Sequence, residues 1–81
     1  MFQDTLKFYT FVKENVESGD VRIYMSWHHG LVLTISAYNI KNGEFEFVRE
    51  VFSEKMVATF KGDFDHIVED LCEKLNRILR G

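Results

Sequence analysis

Three histidines and one cysteine, His28, His29, His66 and Cys72, are the residues best suited to metal binding or nucleophilic chemistry. A tetrahedral metal site needs three or four ligands that converge on one point. His28 and His29 are adjacent at the end of an extended segment, where neighbouring side chains diverge. His66 and Cys72 lie six positions apart, and neither CxxC nor HxxxH spacing occurs. The pattern therefore predicts two turn histidines, one surface histidine and a thiol used as a small apolar filler. No metal and no cofactor are expected.

Catalysis has as little to stand on. There is no phosphate-cradling glycine loop, no serine elbow and no pair of carboxylates in a setting that would separate their pKa values. The sequence is read as a non-enzyme.

Eighty-one residues make one domain, 1–81, near the lower size at which a single core suffices. Hydrophobic residues are 46% and aromatic residues 15% of the chain, which excludes disorder. A net charge of -3 disfavours direct nucleic-acid binding, whose footprint is a basic patch. Cys72 has no second cysteine to pair with, which suits a reducing cytoplasm. The start of the chain lacks the basic and apolar regions of a signal peptide, and no apolar run is long enough to cross a bilayer.

The elements that must position any site are organised around residues 31–40, a β-rich run with His28-His29-Gly30 before it and Lys41-Asn42-Gly43 after it. This is the expected central strand of a meander, with 21–27 before it and the segment after Gly43 following it. Residues 3–18 are expected to form an amphipathic helix, since Phe2, Leu6, Tyr9, Val12 and Val16 recur at helical spacing, with Phe8 flanking that stripe and Phe11 on the opposite, polar side. Met56, Ala58 and Phe60 alternate and suggest a short edge strand. Residues 64–80 carry the clearest helical stripe, Phe64, Ile67, Val68, Leu71, Leu75, Ile78 and Leu79, preceded by Asp63 as the N-cap. The expected architecture is α+β, α-β-β-β(-β)-α: an antiparallel meander sheet with two helices packed on one face.

Hairpin register decides which side chains share a face, because a one-residue slip reverses a whole strand. Three-residue turns closed by Gly30 and Gly43 would pair Trp27 with Leu31 and Ile40 with Glu44. Trp27, Leu33, Phe47 and Val51 would then gather under the helices, with Arg49 as a misfit. The outer face would hold Tyr24, Val32, Tyr38, Ile40, Glu44, Glu46, Val48, Glu50 and Phe52, an apolar centre with a charged rim. Such a face points to a contact surface, and Phe8 with Phe11 offers a second, smaller one.

The function expected from these features is a protein–protein interaction module, a small inhibitor or adaptor whose partner is another protein or a second copy of the chain. The size suits an accessory protein of the kind phages carry. An alternative starts from Glu44, Glu46 and Glu50, which would line up on that face, where alternate positions stand about 6.5–7 Å apart. With the acidic start of the last helix they could mimic a nucleic-acid backbone and block an enzyme that binds one. The element order also resembles the double-stranded RNA-binding domain, whose two helices pack on one face of a three-stranded sheet. That family holds phosphates with lysines at the start of its second helix. Here the matching segment is Gly62-Asp63-Phe64-Asp65-His66, which is acidic, so the resemblance implies the topology and no RNA-binding role.

Overall fold

A three-stranded antiparallel meander forms the centre of the structure, with β1 (Val21–Trp27) and β3 (Glu44–Ser53) on either side of β2 (Gly30–Asn39). Helix α1 (Thr5–Asn15) precedes the sheet, and α2 (Glu54–Ala58) and α3 (Asp63–Arg80) follow it. The computed structural model describes residues 5–58 and 63–81. Phe2, Phe60 and Gly62 lie outside the described residues, as do the side chains of Ala58, Asp63 and Phe64. The α+β order α-β-β-β-α is as expected, with α2 added between β3 and the last helix. The alternating Met56–Ala58 segment therefore belongs to a helix turn and not to a fourth strand.

Both long helices cover the same side of the sheet. Helix α3 lies against β2 and β3, while α1 lies against β1 and α3. The core between them is built from Phe8, Val12 and Val16 of the α1 segment, Leu33, Ile35 and Ala37 of β2, Phe52 of β3, and Val68, Leu71, Cys72, Leu75 and Leu79 of α3. Helix α1 is rotated from the expected stripe. Phe8, Val12 and Val16, each four residues apart, face the core, and Phe11 packs half-buried beside them. Leu6 and Tyr9 are exposed. This phase buries Phe8, half-buries Phe11 and leaves the amphipathic tyrosine in water, where the Lys13 ammonium lies 5.3 Å from its ring centre.

The first hairpin has the expected register, Trp27 opposite Leu31. His29 takes a left-handed backbone (φ 57°) and Gly30 follows with φ 150°. A side chain at Gly30 would lie 2.3 Å from the Phe52 carbonyl oxygen, so glycine is needed for β2 and β3 to approach there. Along β1 burial falls from Val21 to Met25 and Trp27, which are exposed on the helix side near the hairpin tip.

The second hairpin corrects the expectation. Asn39 pairs with Glu44 across a four-residue loop, 40–43, so β3 is shifted one residue from the three-residue turn. Asn39 causes the shift by starting the turn one position early. Its carbonyl accepts the Gly43 and Asn42 N–H groups at 2.8 and 3.3 Å, and its Oδ1 accepts the Lys41 N–H at 3.0 Å. Every β3 side chain consequently changes sides. Glu44, Glu46, Val48, Glu50 and Phe52 face the helices, with Phe52 fully buried and Val48 packed against the core. Phe45, Phe47, Arg49 and Val51 face outward. Arg49 is thus no misfit, and Trp27 and Phe47 lie on opposite sides of the sheet.

Candidate contact face

The outer side of the sheet is assembled from three strands in register. Arg22, Ser36 and Phe47 form one row across it; Tyr24, Thr34 and Arg49 form the next. Tyr38 lies opposite Phe45, and their rings meet edge to face at 5.5 Å between centres. Thr34 and Ser36, the short side chains of the central strand, make the floor; the longer residues of both neighbours stand around it. Strands lie about 4.8 Å apart, so side chains on β1 and β3 are separated by a trough roughly 10 Å wide.

Arginine bridges that trough. The Arg22 guanidinium lies over the Phe45 ring, 4.5 Å from its centre, reaching from β1 to β3 above the small Ser36. Arg22 also faces the Asp20 carboxylate at 3.5 Å. The Tyr24 hydroxyl, and then Asp20, raise the Arg22 pKa further above its ordinary value. Arg49 donates its Nε–H to Thr34 Oγ1 at 3.2 Å and sits 5.7 Å from the Phe47 ring centre. Tyr24, Thr34, Ser36, Phe47 and Arg49 together line a shallow depression of about 280 Å³. Phe47 is 59% exposed and Tyr24 54%.

Of the residues expected on this face, Tyr24, Val32 and Tyr38 are there. Ile40 is highly exposed but belongs to the loop after β2. Glu44, Glu46, Val48, Glu50 and Phe52 are on the other side, so none of these five belongs to the outer face, and Phe8, expected with Phe11 in a second patch, is in the core. Phe11 is half-buried against the core and offers little surface. Phe45, Phe47, Arg49 and Val51 belong to the outer face and were assigned elsewhere. The signal for them was Asn39, whose side chain favours opening a turn at its own position.

A larger depression, about 520 Å³, lies at the other end of the molecule between residues 17–20, residues 38–41 and the end of α3. Its charged groups are already engaged. Glu17 accepts two N–H bonds from Arg80 at 2.8 and 2.9 Å, and the Lys41 ammonium donates to the Arg80 carbonyl at 2.7 Å. These contacts tie the helix ends together.

The residues suited to chemistry are dispersed. His28 and His29 are exposed at the β1–β2 turn with their rings edge to face. His66 Nδ1 lies 3.4 Å from Glu69 one helical turn on, at the surface of α3. Cys72 is buried, and burial followed by the Glu69 charge pushes its thiol pKa up to about 11. Among the described residues no three metal-ligating side chains converge. Likewise, no described helix is long and apolar enough to cross a membrane. Comparison with protein-family models, curated proteins and solved structures found no match to this chain.

Proposed function

We propose that this protein is a non-catalytic protein–protein interaction module whose outer sheet face is the contact surface, acting as an inhibitor or adaptor by occupying its partner. One observation carries the reading. Strand β3 turns Phe45, Phe47 and Val51 away from the helices and directs Glu44, Glu46 and Glu50 toward them. A chain stabilised only by its own core would gain from the opposite arrangement, since burying each phenylalanine contributes roughly 1.5–3 kcal/mol. The large apolar side chains instead share an open face with two arginines, the residue mixture common at the centre of interfaces. The buried, unpaired Cys72 fits a cytoplasmic setting.

Affinity capture from the source cell tests this. Phe47→Ala should abolish capture, while Glu46→Gln should leave it intact and added salt should weaken it only modestly. Loss of capture on neutralising Glu44, Glu46 and Glu50, with steep salt dependence, would instead establish nucleic-acid mimicry. Glu46 and Glu50 are half-buried on the helix side, so they present a poor phosphate-like row.

A further inference from the structure

We infer that the depression around Arg49 is the anchor point of this face and receives a carboxylate side chain from a protein partner; the inference rests on the interaction-module reading above. The chain has four arginines. Arg22 pairs with Asp20, Arg77 with Glu73 and Arg80 with Glu17, whereas Arg49 forms no ion pair among the described residues. Its neighbour in sequence, Glu50, is carried to the opposite side of the sheet by strand alternation.

Arg49 is nevertheless held in place. Its Nε–H is donated to Thr34 Oγ1, its guanidinium sits beside the Phe47 ring, and the residue lines the depression. An arginine fixed in this way loses little freedom when it binds, and its planar fork matches a carboxylate at two points. The hydroxyls of Tyr24, Thr34 and Ser36 line the same depression and can donate to the remaining carboxylate lone pairs. Phe47 supplies an apolar wall for the stem of the incoming side chain.

Charge selects among occupants. A nucleic-acid strand requires several cations along its track, and this face offers Arg22, already paired with Asp20, and Arg49. A second copy docked face to face would bring Arg49 no β3 carboxylate, because those lie on the far side, and Asp20 is already paired with Arg22. A protein segment bearing aspartate or glutamate next to an apolar residue meets both the charge and the ring.

The test is an amide-resolved NMR titration with a defined probe, the capped pentapeptide Phe-Glu-Phe-Glu-Phe, against its glutamine counterpart and an oligothymidylate of about ten nucleotides. The glutamate peptide should shift the Thr34, Ser36 and Arg49 amides saturably. Binding should weaken about tenfold or more with the glutamine peptide or with Arg49→Lys. A peptide that binds Arg49→Ala unchanged, shifts amides elsewhere or fails to bind at millimolar concentration overturns the anchor. Tighter binding of the oligonucleotide at these amides overturns it in favour of single-stranded nucleic acid. Capture separates the two levels: if Arg49→Ala retains the partner and Phe47→Ala loses it, the anchor falls and the module stands. If both variants retain it, the module reading falls as well.

Discussion

The guanidinium of Arg22 on β1 lies 4.5 Å above the ring of Phe45 on β3, two strands away. Arg22 is paired with the small Ser36 of β2, while Phe45 is paired with the neighbouring Tyr38. A cation over an exposed ring is worth about 0.5–1 kcal/mol. A double-mutant cycle with Arg22→Ala and Phe45→Ala should therefore give a coupling of about that size in urea unfolding. A coupling near zero would show that the pair does not hold the face together.

Phe47 and Phe52 should behave in opposite ways. Phe52 is fully buried and Phe47 is 59% exposed, although the three-residue turn predicts the reverse. Phe52→Ala should cost about 3–5 kcal/mol, enough to threaten folding in a domain of this size. Phe47→Ala should cost less than about 1 kcal/mol while removing partner capture. Denaturant midpoints of the two variants decide between the registers, and an unstable Phe47→Ala with a stable Phe52→Ala would reinstate the other one.

Gly30 should be intolerant of any side chain. Its φ of 150° disfavours other residues, and an added Cβ would meet the Phe52 carbonyl oxygen at 2.3 Å, a backbone atom that cannot swing aside. Gly30→Ala is expected to cost about 2 kcal/mol or more and lower the melting temperature by roughly 8 °C or more. Gly19→Ala is the control. Nothing lies within 4 Å of its would-be Cβ, and it should shift stability by no more than about 0.5 kcal/mol. Equal effects of the two substitutions would remove the close approach of β2 and β3 as the cause.

These particulars show what was legible in the residues alone. The period of α3, the facing of β1 and β2 and the register of the first hairpin are strong local signals that the structure follows, although Ile78 of the α3 stripe and Met25 and Trp27 of β1 are exposed. The phase of β3 was not legible from apolar segregation, because that rule assumes that every large apolar residue is there for the chain's own core. Phe45, Phe47 and Val51 break the assumption, and the site is built from the residues that break it. Helix α1 failed for a related reason. Leu6 and Phe8 lie on different sides of the helix, and only packing against the rest of the fold selects the side of Phe8, which is buried while Leu6 is exposed. The contact between Glu17 and Arg80, 63 positions apart, has no local signature at all.

That last pair gives the acid response. Glu17 follows α1 and Arg80 ends α3, so their two hydrogen bonds join the helix ends. The hydrogen bond from Arg80, aided by its charge, lowers the Glu17 pKa below its ordinary value of 4.5. A carboxylate with a depressed folded-state pKa stabilises the fold above its unfolded pKa, and the contribution is lost as pH falls through the folded value. Glu17→Gln should therefore lower the urea midpoint at about pH 7, and the gap to the parent protein should narrow at about pH 3. Because both side chains are exposed, salt near 1 M should narrow the difference at neutral pH. A midpoint gap that is the same at both pH values would mean that Glu17 acts through packing and not through its charge.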